Sequence, residues 1–271
     1  MSVAPFAIRH LALDIRRSTL ETWAMPCDIL VFAPHPDDAE LCCGGLLLKA
    51  ARRRMRTVII DITRGEMATR GTPEIRARES AAADRILRPL KRENLGLADG
   101  RLRDDDTLRR ALVNVLRKYR PALLLIPHWE DQHPDHAAVG QAGLYAAWLC
   151  GAPKFAPHTA AGIAAPGRPP YRPRRVLHYN NRYGISADVV IDITDVMEQK
   201  IALAACYQTQ FGAGKKQSGR DAAPQTRLSH PRFMEWLKGM HAFYGYQVGV
   251  DYGEPYCTKG PLRLGEVGAL L

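Results

Sequence analysis

The chain has 271 residues, 46% of them hydrophobic and 24% charged, which suits one soluble α/β domain with a substantial core. No uninterrupted apolar run approaches the roughly 20 residues that a membrane span needs. The formal charge of +10 is scattered over 52–54, 85–92, 109–110 and 168–175, with no aromatic-interleaved RNA-binding stretch and no helix-turn-helix pattern. Solvated helix faces and attraction of an anionic small substrate account for it better than nucleic acid does.

Residues 1–24 place Arg9, Arg16, Arg17 and Glu21 between short apolar runs and lack the continuous apolar core of a signal peptide. They are expected to be an N-terminal extension ahead of a domain spanning 25–271; a helix that docks on a neighbouring molecule is the competing reading. A strand is expected over 28–33 and a helix over 40–54, where Gly44-Gly45 permits close backbone approach. The stretch 57–63, Thr-Val-Ile-Ile-Asp-Ile-Thr, has the β-branched character of a buried parallel strand. Residues 64–73 form a loop at a strand's carboxyl end, a place for substrate contacts. A helix follows over 74–87, capped by Thr72 and opened by Pro73.

A short strand near 92–95 leads to the turn Ala98-Asp99-Gly100, a helix over 107–119, and a strand over 122–126. The loop 128–136 precedes a helix over 137–149. Residues 151–173 are rich in Pro and Gly and read as a long loop, after which strands resume at 175–179 and 188–193. Thr194 or Asp195 caps a helix running to Tyr207. The polar segment 211–230, with Lys215, Lys216 and Arg220, is expected to be a mobile cover over the site, and 231–244 the last helix. Strands alternating with helices predict a Rossmann-like, doubly wound, mostly parallel sheet in a single domain with a C-terminal extension. There is no Gly-x-Gly-x-x-Gly, so the fold implies no dinucleotide. Cys27, Cys42, Cys43, Cys150, Cys206 and Cys257 form no Cys-x-x-Cys pair, which fits buried thiols in a reducing cytoplasm.

Two stretches carry chemistry. Pro34-His35-Pro36-Asp37-Asp38-Ala39-Glu40 follows the first strand, and His133-Pro134-Asp135-His136 follows the strand at 122–126. A lone His-Pro-Asp is a common capped turn; two of them at strand ends, each with a further His or Asp, are harder to explain that way. In open α/β sheets chemistry collects outside the carboxyl ends of strands, so both clusters are expected in one crevice. His35, Asp38 and His136 then supply two imidazoles and a carboxylate for a divalent metal with an open position. Asp37 is left as general base for a metal-bound water, and a cationic His133, oriented by Asp135, is expected to stabilise an oxyanion. His128, Glu130 and Asp131 share the second loop and are placed to tune the ligands. For Cys42 and Cys43, core packing is the simpler reading than a thiol beside the metal.

These motifs resemble the zinc-dependent de-N-acetylases of the LmbE-like (PIG-L) family. So do Thr63-Arg64-Gly65-Glu66, Gly71-Thr72-Pro73-Glu74-Ile75-Arg76 with Glu79, Asn94 to Asp99, Tyr207-Gln208-Thr209-Gln210-Phe211, Val248 to Glu254 and Lys259-Gly260-Pro261. The likeness spans about residues 26 to 264, and within the family it is greatest to the bacterial deacetylases of bacillithiol biosynthesis. The resemblance implies Zn2+, the same site roles, and an N-acetylglucosamine-containing substrate of the N-acetylglucosaminyl-malate type. It also implies substrate contacts from Arg76 and Asp99. A homo-oligomer in the cytoplasm is expected. The loop 151–173 and the stretch around Lys215 depart from the family pattern and are expected to shape substrate choice. Competing readings are a deacetylase of a neutral, chitobiose-like sugar, a metal phosphoesterase, and a structural zinc site. The phosphoesterase usually needs more carboxylates for two metals, and structural zinc is normally closed by four ligands, mostly Cys.

Overall fold

Strands covered on both faces must be apolar along their whole length, and that is how the first part of the chain is built. The computed structural model describes residues 25–165, 167–180, 186–211 and 225–261. The extension 1–24 and the stretch holding Lys215, Lys216 and Arg220 lie outside them. In chain order the elements are β1 (Ile29–Ala33), α1 (Asp38–Arg52), β2 (Thr57–Thr63), α2 (Pro73–Leu87), β3 (Lys91–Leu97), α3 (Asp106–Tyr119), β4 (Leu123–Pro127) and α4 (Pro134–Leu149). There follow β5 (Arg175–Tyr179), β6 (Val189–Asp192), a 3-10 turn at Thr194–Val196, α5 (Met197–Ala204), α6 (Gln208–Phe211), α7 (Phe233–Val248) and β7 (Gly253–Cys257). Every residue of β1 and β2 is buried.

The strands form one sheet in the order β3-β2-β1-β4-β5-β7-β6. The first five pair in parallel, and β7 runs antiparallel to both β5 and β6. The sheet is thus mostly parallel and doubly wound, as its alternating pattern predicts. Successive side chains of a strand face opposite ways. Ile29, Val31 and Ala33 accordingly enter the core under α1, α5 and α7, while Leu30 and Phe32 enter the core under α3 and α4. No helix among the described residues is long and apolar enough to cross a membrane.

Three features depart from the sequence reading. The helix after the second motif begins at Pro134, not 137, because His133 caps it by accepting from the Asp135 N–H. The helix expected to reach Tyr207 is divided into the 3-10 turn and α5 and stops at Ala204, with the separate short α6 starting only at Gln208. Strand β7, Gly-Glu-Pro-Tyr-Cys, was not foreseen, since Gly, Glu and Pro are depleted in strands, yet it is buried throughout. Its glutamate explains the exception. Glu254 accepts from the Gly45 and Leu46 N–H groups at 2.8 and 2.9 Å, from Tyr256 Oη at 2.6 Å and from Lys200 Nζ at 2.5 Å. Both members of the Lys200–Glu254 pair are wholly buried. Burial opposes the charge on Glu254, and the Lys200 ammonium outweighs it, leaving the carboxyl below its usual range. The close approach needs a glycine: a Cβ on Gly45 would stand 2.4 Å from Ile193 Cγ2 and 2.9 Å from Glu254 Oε2.

Beside this pair lies His241, which is 1% exposed with Nδ1 2.9 Å from the Gly253 carbonyl. Burial, then the Lys200 charge, push its pKa down to about 3. The unfolded ring, at an ordinary value near 6.5, therefore binds the proton first. Stability rises with pH wherever the unfolded state binds more protons, so His241 contributes a loss of stability as pH falls from 6.5 towards 3. The slope is at most about 1.4 kcal/mol per pH unit. His241→Gln keeps a donor for Gly253 and does not titrate. Urea unfolding across this window is expected to give a flatter curve for the variant, and parallel curves would refute the assignment.

Candidate active site

The crevice lies where the chain leaves β1 towards β2 on one side and β4 towards β5 on the other, the switch point of the sheet. His35, Asp37 and Asp38 leave the end of β1, and His133 and His136 open α4 beyond β4. Together they line a cleft of about 550 Å3. The structure thus brings the two motifs together.

Asp38 Oδ2 is 3.3 Å from His35 Nδ1 and 3.2 Å from His136 Nε2. Donors about 2.0–2.1 Å from a tetrahedral ion stand about 3.3 Å from one another, and these two distances match that value. The charges fit as well. Burial opposes protonation of His35, yet the carboxylates of Asp135, Asp38 and Asp99 hold its pKa well above the usual value. His136, half-buried, is raised to about 9, against desolvation, by Asp38 and Asp131. Asp38 is itself held well below the carboxylate range, against burial, by His136 and His35. Two imidazoles that cling to protons beside one buried carboxylate mark a place that favours positive charge. The nitrogens of His35, His133 and His136 also lie within 4.8 Å of one another, as do donor atoms of His35, Asp99 and Asp135. A His/Asp group able to hold a metal is therefore present.

Carboxylates behind the imidazoles fix their rings. His35 Nε2 is 3.0 Å from Asp99 Oδ1 and 3.3 Å from Asp135 Oδ2. His136 Nδ1 is 3.5 Å from Asp131 Oδ2. Asp131 is thus the member of the His128, Glu130, Asp131 trio that faces a candidate ligand; His128 Nδ1 instead accepts from the Glu130 N–H. Asp99, expected to hold substrate, has Oδ1 on His35 and Oδ2 accepting from the Met67 N–H at 2.8 Å. Its carboxyl is lowered to about 2, against burial, by His35 and that N–H.

Asp135 does not orient His133 through its carboxylate, which accepts from the Gly100 and Leu102 N–H groups at 2.7 and 3.1 Å. It is the Asp135 backbone N–H that donates to His133 Nδ1, at 3.3 Å. A ring nitrogen that accepts carries no proton, which in the neutral ring leaves the hydrogen on Nε2. Burial, then the neighbouring His35 and His136, lower the pKa of His133, which works against the expected cationic form.

Asp37 is 5% exposed and sits at φ 121°, ψ −26°, a region that a non-glycine residue seldom adopts. Burial above all raises its pKa to about 7, with Asp38 adding and Arg76 opposing. Arg76 was expected to reach substrate. It is 3% exposed, with Nη2 2.9 Å from Asp37 Oδ2 and hydrogen-bonded to the Pro36 carbonyl.

Most of the far wall comes from the segment 211–230 that was expected to cover the site, although none of the residues forming it had been singled out. Gln210, Thr226, Arg227 and Leu228 line the cleft. Gln210 is placed by donating from Nε2 to the Arg70 carbonyl at 2.8 Å. It lies in the Tyr207–Phe211 motif, so a signal existed without a role attached. The loop 151–173 contributes nothing to the cleft among the described residues. It packs on α3, where the Arg117 guanidinium donates to the carbonyls of Cys150, Ala152 and Phe155. Cys42 and Cys43 are buried in the core, where burial pushes both thiols up.

Residues 30–147 match the PIG-L family, described as GlcNAc-PI de-N-acetylase. The diacetylchitobiose deacetylase of Thermococcus kodakarensis is 30% identical over 193 residues, 68% of this chain and 70% of that protein. A probable N-acetyl-α-D-glucosaminyl L-malate deacetylase of Bacillus anthracis is 33% identical over 129 residues, 42% of this chain and 56% of that one. A conserved protein of Thermus thermophilus, known from its crystal structure, superposes with a TM-score of 0.74 at 35% identity, covering 89% of this chain and 98% of its own.

Proposed function

Because the chain belongs to the PIG-L de-N-acetylase family, we propose that it is a zinc-dependent hydrolase releasing acetate from an N-acetylglucosamine unit of a small molecule. The observation that carries this is the convergence of His35, Asp38 and His136, with the unligated carboxylate of Asp37 beside them. In this reading those three hold the metal, which when bound acidifies water and polarises the acetyl carbonyl. Asp37 cannot share the ion with its sequence neighbour, and takes the proton of the attacking water. His133 Nε2–H donates to the oxygen that gains charge as the carbonyl carbon becomes tetrahedral. The C–N bond then breaks, and the proton held by Asp37 passes to the departing amine, giving acetate and the free glucosamine nitrogen. Asp99, Asp131 and Asp135 keep the two imidazoles in register.

The substrate is proposed to be of the N-acetylglucosaminyl-malate kind, with an anionic group beyond the sugar. The formal charge of +10 supports this, but Arg76, committed to Asp37, no longer does. Arg227, exposed where it lines the cleft, takes over that part. The length of the match to the diacetylchitobiose deacetylase favours a neutral disaccharide as the second reading.

Acetate release from N-acetylglucosaminyl malate, diacetylchitobiose and free N-acetylglucosamine, with zinc-loaded and chelated protein, tests both. Turnover of the malate glycoside above the others, lost on chelation, is expected. Arg227→Ala should lower kcat/KM for that substrate by roughly tenfold, the scale of one hydrogen bond to a charged group, and leave the neutral ones unchanged. Equal treatment of all three by both proteins would end the anionic reading, and no acetate from any would end the deacetylase reading.

A further inference from the structure

A guanidinium that bridges a backbone carbonyl and the next residue's carboxylate does more than neutralise charge. Arg76 Nη2 contacts the Pro36 carbonyl and Asp37 Oδ2 together, so one group holds the peptide before Asp37 and its carboxylate. That peptide leads into the φ of 121°, and such strained conformations, at a cost of roughly 1–3 kcal/mol, persist only where surroundings over-determine them. Asp37 makes no capping hydrogen bond of its own to α1.

The loop after β2 is shaped around the guanidinium. Gly65 has φ +68°, and a Cβ there would stand 2.0 Å from Arg76 Nη1 and 2.7 Å from Cζ. The helix that carries Arg76 is started just ahead of it, by the Thr72 Oγ1 cap on the Ile75 N–H and by Pro73. Nη2 is thus committed to Pro36 and Asp37 and Nε is buried without a partner, in a side chain that lines the cleft yet is only 3% exposed.

We infer that Arg76 is a positioning residue for Asp37, fixing the direction of its carboxylate. This rests on Asp37 being the base of the proposed reaction. The test is a cycle of Arg76→Ala and Arg76→Lys in the wild type and in Asp37→Asn, with kcat and KM measured separately and zinc content determined for each protein. Arg76→Ala is expected to lower kcat about 10²-fold, the scale of a small misplacement of a reacting group, with KM and zinc content near their wild-type values. Arg76→Lys should recover part of kcat, because an ammonium reaches the carboxylate but lacks the planar, fixed geometry that aims one nitrogen at both oxygens. In the Asp37→Asn background, Arg76→Ala should cost less than about a further twofold, the ordinary margin of additivity. A raised KM with kcat unchanged, or the same loss of kcat in both backgrounds, would overturn the inference. Should Arg76→Ala fail to fold, Arg76→Lys completes the cycle. If the wild type releases no acetate, the reading of the function fails instead. Thermal unfolding then decides the clamp: Tm shifts of Arg76→Lys and Asp37→Asn that are not additive uphold it, and additive shifts overturn it.

Discussion

His136→Ala is expected to reduce bound metal from about one ion per chain to near zero while the fold is kept, and to abolish turnover. Removing the ring takes away one of the two imidazoles facing Asp38 Oδ2. The ring itself lies in the first turn of α4, where alanine is a good helix former. A single carboxylate and imidazole hold a divalent ion too weakly to survive dialysis, since catalytic zinc sites use three protein ligands. His133→Ala is the informative control. The His133 nitrogens also approach those of His35 and His136, but its Nδ1 is engaged with the Asp135 N–H, so this variant is expected to keep its metal. Elemental analysis and circular dichroism of the two proteins make the comparison. A metal-replete His136→Ala, or a metal-free His133→Ala, would show that the ligands are assigned wrongly.

Asp37→Asn is expected to keep the metal and lose about 10²–10⁴-fold in kcat, the usual contribution of a positioned general base. The amide is nearly isosteric, so the Pro36 carbonyl and Asp37 side chain remain within reach of Arg76. It also leaves the buried Arg76 guanidinium without the carboxylate it faces at 2.9 Å, so the variant is expected to be less stable than the wild type. Turnover near normal in the zinc-loaded variant would remove Asp37 from the mechanism, and loss of zinc would instead make it a ligand.

How far the site was legible depended on what carried each residue. His35, Asp38, His133 and His136 follow apolar, β-branched or leucine-rich runs, and such runs announce strands whose ends must meet at the switch point of a parallel sheet. Chain order alone therefore predicted their meeting. Arg76 was read as facing substrate from the family resemblance and from its place just beyond a substrate-facing loop. Its true direction depends on the path of that loop around Gly65, which no periodicity encodes. Asp99 and Asp135 both close on His35 across long sequence separations, and a carboxylate after a turn looks the same whether it meets sugar or imidazole. Strand β7 was hidden for a different reason. Its Glu254 is a poor strand residue chosen for the Gly45 and Leu46 N–H groups and for Lys200, so a tertiary demand overrode local propensity.

The position of β7 between β5 and β6 also sets an order of assembly during synthesis. Among the described strands β6 pairs with β7 alone, yet Gly253 leaves the ribosome roughly 60 residues after Asp192, several seconds later at about 5–20 residues per second. Until then Val189, Val190 and Ile191 are a strand without a neighbour, and such unpaired edges recruit other chains. The helix that opens at Asp38 likewise waits for Glu254. A nascent chain can therefore pair β1 with β4 early, but the edge of the sheet is finished only when β7 slots in between β5 and β6. That interval is when a chaperone has most to protect.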